Sequence, residues 1–130
     1  MSDRVDYWIE IAEYDLETAR AMLQTGRLLY VGFMCHQVIE KMLKAVWADQ
    51  RGQIPPYTHN LKLLAQEAGL FDEMTAEQKL LMNELLPLNV ESRYPEKKDA
   101  IWKTLSQARC QRFVQDTEEF SKWIGMKLSM

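Results

Sequence analysis

Between Leu28 and Arg51 the chain carries Leu29, Phe33, Val38, Ile39, Met42, Leu43, Val46 and Trp47. At ~100° per residue these positions wrap much of a helix's circumference, and a helix that is apolar nearly all round must be surrounded. The segment therefore demands flanking helices. The rest of the chain can supply them, because only five Gly and four Pro interrupt 130 residues. Gly52, Pro55 and Pro56 end the central helix, since proline lacks an amide donor and disfavours a helical residue before it.

Before it, Trp8, Ala12, Leu16, Ala19 and Leu23 recur every three or four residues, with Asp6, Glu10, Glu13 and Glu17 between them. This pattern predicts an amphipathic helix over Val5 to Leu23, closed by Gly26, with the second helix starting near Leu28. After the prolines, Thr58 is expected to cap a short third helix carrying Leu61, Leu64, Ala65 and Ala68, which Gly69 ends. Thr75-Ala76-Glu77-Gln78 has capping-box spacing and opens a fourth helix through Leu80, Leu81, Leu85 and Leu86, disturbed by Pro87 and over by Pro95. Leu105, Ala108, Phe113, Thr117, Phe120, Ile124 and Leu128 form the stripe of a long closing helix. Its start is open: Thr104-x-x-Gln107 could be a capping box, or the pattern begins near Ile101. The expectation is one all-α domain over residues 1–130, an antiparallel up-down helical bundle of four long helices and one short one.

Charge and cysteine usage narrow the function. A net charge of −3 gives no broad basic surface for unspecific nucleic-acid binding, so RNA is not the expected partner. Cys35 and Cys110 stand alone without CxxC spacing, which fits reduced thiols in a cytoplasmic protein rather than disulfides or zinc. No apolar run approaches the ~20 residues of a membrane span, and Met-Ser-Asp-Arg leads into an acidic stretch rather than a signal region. Neither a phosphate-cradling glycine loop nor a GxSxG nucleophile motif occurs. With His36 and His59 as the only histidines and no acidic cluster at ligand spacing, neither a metal nor a cofactor is expected.

One stripe of the central helix is polar. His36, Gln37, Glu40, Lys41 and Lys44 project within an arc of about 140°, taking ~100° per residue. They form either a solvated outer face with pairs such as Glu40 to Lys44, or the lining of a groove. Spacing does not separate the two. His59 stands beside Thr58, where hydrogen bonding of its loop competes with a ligand role.

Phe33-x-x-His36-Gln37-x-x-Glu40-Lys41-x-x-Lys44-Ala45 resembles the second-helix signature of the HEPN family (higher eukaryotes and prokaryotes nucleotide-binding). Trp8-x-x-x-Ala12-x-x-Asp15-Leu16-x-x-Ala19 is similar to that family's first helix, Thr58-His59-x-Leu61 to its mid-chain motif, and Ser92-Arg93-Tyr94-Pro95 to the segment after its fourth helix. Order and intervals agree over roughly residues 5 to 128. The resemblance implies a helical bundle, commonly a homodimer, often encoded beside a minimal nucleotidyltransferase. Some members are toxins of toxin-antitoxin pairs that cut RNA with an Arg-x(4–6)-His motif on a late helix. This chain departs from that motif, having no histidine after Arg93. Metal-free RNA cleavage needs a group that accepts a proton near neutral pH, so catalysis is not expected and no catalytic residue is assigned.

What the resemblance leaves is a non-catalytic module that binds a nucleotide of the ATP or GTP class, or serves a nucleotidyltransferase partner. Its expected ligand-binding residues are His36, Gln37, Glu40, Lys41, Lys44, His59, Arg93 and Tyr94. In that reading Lys41, Lys44 and Arg93 meet phosphate oxygens, Gln37 and Glu40 orient the ligand, and Tyr94 stacks on a base. The competitors are a ribonuclease toxin with a variant site that brings Arg93 and His59 together, and a purely structural dimerisation module.

Overall fold

The computed structural model describes residues 3–90 and 95–129, with side chains over 4–89 and 99–129. Among the described residues six α-helices follow one another: α1 (Asp3–Gln24), α2 (Val31–Arg51), α3 (Leu61–Glu67), α4 (Ala76–Val90), α5 (Pro95–Thr104) and α6 (Gln107–Gly125). Two 3-10 turns, Leu28–Tyr30 and Phe71–Glu73, precede α2 and separate α3 from α4. Among the described residues there is no strand. The four long helices of the sequence reading are α1, α2, α4 and α6, the short one is α3, and α5 is additional.

Contacts at the helix ends set the directions. Arg4 on α1 donates to the Gly52 carbonyl just past α2 (3.1 Å), and Gln37 near the start of α2 donates to Asn89 near the end of α4 (3.1 Å). Both α1 and α4 thus run against α2. The Cys110 thiol lies 3.9 Å from the Leu28 carbonyl at one end of α6, and the Ser129 amide donates to Asp49 (2.8 Å) at the other. So α6 runs alongside α2 in the same sense, and the four make an up-down bundle. Gly26, Gly52 and Gly69 all take positive φ where α1, α2 and α3 end, a conformation that costs glycine little.

Local chemistry corrects several boundaries. The cap of α3 is Asn60, whose side chain accepts from the Leu63 amide (3.1 Å). Thr58 instead accepts from the Asn60 amide (3.2 Å) and tightens the turn before it. The capping box at Thr75 and Gln78 forms as expected, with reciprocal bonds of 3.0 and 3.1 Å. Pro87 does not stop α4, because it lies on an exposed face where the carbonyl that loses its donor can meet water. Ser106, not Thr104, caps α6 by accepting from the Arg109 amide (3.0 Å); the Thr104 hydroxyl donates back to Ile101 (2.7 Å) at the end of α5. The central helix starts at Val31 rather than Leu28, since neither Arg27 nor Tyr30 makes a side-chain cap and the entry is taken by a 3-10 turn.

The core lies between α2 and its three long neighbours. Val38, Ile39, Leu43, Val46, Leu64, Leu85, Phe113, Phe120 and Ile124 are all buried. Burying one such side chain stabilises the fold by about 1.5–3 kcal/mol. On α6 the buried stripe also takes in Cys110 and Val114, whereas Ala108, expected inside, is exposed in the first turn. Gly32 lets α2 approach α4 closely: a methyl group there would stand 3.0 Å from Leu88 Cβ and overlap the Leu88 δ-methyl. That approach brings Gln37 within reach of Asn89.

Candidate functional site

The polar stripe of α2 is not a solvated face. His36, Glu40, Lys44 and Gln37 are 0, 1, 5 and 8% exposed, and only Lys41 is half-buried. Removing charges from water is costly unless they are paired and hydrogen-bonded, and here they are. Lys44 donates to Glu40 Oε2 at 3.0 Å, the i,i+4 pair that the spacing suggested. Lys41 donates to Gln37 Oε1 at 2.6 Å and lies 3.5 Å from Asp15 on α1. Gln37 passes the chain on to Asn89 on α4. The ammonium of Lys44 also sits 5.4 Å from the centre of the Trp8 ring.

Glu40 is the hub. Its Oε2 accepts from Lys44, while its Oε1 lies 2.9 Å from His59 Nδ1 and 3.8 Å from His36 Nδ1. The short His59 contact is the bond that ties the loop between α2 and α3 to the central helix. A carboxylate can only accept at neutral pH, so the proton of this bond belongs to His59 Nδ1. The imidazole is held by its inner nitrogen while its side chain remains 61% exposed, which leaves Nε2 as the outward-facing group. Within the network His59 is the member most open to solvent.

Two carboxylates, Asp15 and Glu40, thus face two ammonium groups, Lys41 and Lys44, before either histidine is counted. Desolvation pushes the Asp15 carboxyl above its ordinary value of 3.8, opposed by the Lys41 ammonium and its hydrogen bond. Away from this cluster, burial pushes the Cys35 thiol up to about 12, against the lowering effect of a hydrogen bond with Thr117. That thiol is an inert part of the core rather than a nucleophile.

Six of the eight expected site residues are therefore located, and five of them, Gln37, Glu40, Lys41, Lys44 and His59, are hydrogen-bonded within this network; His36 lies 3.8 Å from its hub. Arg93 and Tyr94 lie outside the described residues. Asp15, Asn89 and Trp8 were not assigned to the site from sequence, although Asp15 falls three residues after Ala12 and four before Ala19. A carboxylate at that place on a buried stripe signals a partner inside. Asn89 sits four residues after Leu85, the same signal on α4.

The chain matches the HEPN domain family model over residues 5–127. It belongs to the HEPN domain family. Two solved structures share its fold. The crystal structure of TT1696 from Thermus thermophilus shares 20% identity and a TM-score of 0.80, with 98% of this chain and 100% of that one covered. The crystal structure of ST0689, an archaeal HEPN homologue, gives 20% identity, a TM-score of 0.67 and the same coverage. No curated protein matches the sequence. Among the described residues of this HEPN domain, no helix is long and apolar enough to cross a membrane.

Proposed function

We propose that this HEPN domain is a non-catalytic, cytoplasmic nucleotide-binding or accessory module, acting as a homodimer beside a minimal nucleotidyltransferase. The observation that carries the reading is the division of labour within the polar network. Lys41 and Lys44 spend their charge on Asp15 and Glu40, so the stripe of α2 acts as a scaffold. His59, gripped from beneath by Glu40, is the group offered to a ligand, with Arg93 and Tyr94 proposed to complete the contact surface. This shifts the weight of recognition from the lysines, whose release from their carboxylates would leave buried charge unpaired, to the loop that precedes α3.

Calorimetric titration with ATP, GTP and their monophosphates tests the binding half. Saturable heat that His59→Ala reduces at least tenfold supports it; no heat with any of them, together with an unchanged melting temperature, rejects it. Co-purification with the product of an adjacent nucleotidyltransferase gene tests the partner half, and sedimentation at several concentrations tests the dimer.

A second reading has one specific observation in its favour. An exposed imidazole oriented by a buried carboxylate is the arrangement of a general base, and it would serve a ribonuclease with a variant site. Purified protein that cleaves RNA, and loses that activity in His59→Ala, would replace the first reading with this one.

A further inference from the structure

A second polar cluster, whose lining starts at Asn60 just after His59, occupies the groove between α3 and α4. Asn60, Lys62, Phe71, Lys79, Met82, Asn83 and Leu86 are among the residues that line a cavity of about 180 Å³ there. On α4, Lys79, Met82, Asn83 and Leu86 are spaced to fall on one helical face, which turns toward the first turn of α3. The ring of Phe71, carried by the 3-10 turn between these helices, has two cations within reach. Lys79 Nζ is 4.4 Å from its centre and Lys62 Nζ 5.4 Å.

Two ammonium groups on one ring repel each other, and the ring's quadrupole offsets only part of that repulsion. A carboxylate is the usual remedy. Among the described residues none lies within ion-pair distance of either lysine, including Asp72, the next residue along from Phe71. Asn60 uses its side-chain oxygen to cap α3, so its amide hydrogens remain available as donors. The groove therefore gathers two cations and an amide donor beside apolar surface from Met82 and the half-exposed Leu86, in a protein whose net charge is negative.

We propose that this groove is an anion site for a phosphate monoester, whose phosphoryl group bridges Lys62 and Lys79 while its organic part rests on Met82 and Leu86. Charge selects the ligand class. A phosphate monoester carries about −1.5 to −2 at neutral pH with three acceptor oxygens, matching two lysines and the Asn60 amide, whereas a carboxylate brings one charge and two oxygens. Size selects further, since the cavity falls below the ~300 Å³ at which sites for whole drug-sized ligands begin. It suits a head group with a small body.

Amide chemical-shift titration of the full chain in phosphate-free buffer tests this with three probes: phenyl phosphate, inorganic phosphate and benzoate. Phenyl phosphate should produce saturable shifts at Asn60 to Lys62 and Lys79 to Leu86, inorganic phosphate the same shifts at lower affinity, and benzoate none in the same range. Lys62→Gln and Lys79→Gln should each weaken phenyl phosphate at least about tenfold, as loss of a charge-assisted hydrogen bond implies. Both substitutions change lysines in the lining of an open groove, and an unchanged amide spectrum without ligand will show that the fold survives. Shifts absent up to millimolar ligand, centred elsewhere, or unaffected when Lys62→Gln and Lys79→Gln are combined would overturn the site. Benzoate binding as tightly as phenyl phosphate would overturn the assignment of a phosphate.

Discussion

The two faces of α2 are buried by opposite means. Toward α6 and the core, Val38, Ile39, Leu43 and Val46 are sealed by apolar neighbours, and each contributes by leaving water. Toward α1, α4 and the loop before α3, Gln37, Glu40 and Lys44 are also buried but contribute only because they and their hydrogen-bond partners satisfy one another. An apolar face is a sum of nearly independent terms. A polar face is a circuit, in which the loss of one member strands the others.

Breaking the circuit should have the largest effect. Glu40→Ala leaves the Lys44 ammonium buried without its carboxylate and should cost about 3–5 kcal/mol in chemical denaturation. Adding Lys44→Met to it should recover much of that loss. On the other face, Ile39→Ala should cost about 2–5 kcal/mol by opening a cavity, and no second substitution at a neighbouring polar position should restore it. Comparable losses with no rescue by Lys44→Met would erase the distinction between the faces.

A smaller effect is expected at the edge of the circuit. Asn89→Ala removes the acceptor for the Gln37 amide in a buried place and should cost about 1–3 kcal/mol. If denaturation shows no change, the link from α2 to α4 is not part of the network's stability.

The smallest effect concerns pH. The Asp15 carboxyl titrates above its unfolded value of 3.8 because burial outweighs Lys41, so the folded state holds this proton more tightly than the unfolded chain. Its contribution to stability is fully present below 3.8 and is lost as pH rises through the folded value. Carbon-detected titration of the Asp15 carboxyl should give a midpoint above 3.8. A midpoint below it would mean that Lys41 wins over desolvation.

The same contrast explains what could be read from the chain. Apolar periodicity is a property of each helix alone, so the bundle, its central member and the stripe of Phe113, Phe120 and Ile124 were all legible. Capping was legible where one residue competed, at Thr75, misassigned at Thr58 beside Asn60, and left open where Thr104 stands close to Ser106. α5 was missed because Pro95 reads as an end, although proline also suits a first helical turn. The polar residues of α2 were visible, but whether they meet water, a ligand or one another depends on what α1 and α4 place opposite them. Asp15 and Asn89 decide it. Each lies dozens of residues or a full helix away, and no spacing rule within α2 reports them.

Glu40 grips His59 by its inner nitrogen and turns the other outward. Long-range proton–nitrogen spectra of the neutral imidazole measure this directly, because a free histidine keeps its proton mainly on Nε2. In the folded chain His59 is expected to carry its proton on Nδ1. A His59 ring protonated on Nε2, with the nitrogen shifts of an unrestrained histidine, would contradict it.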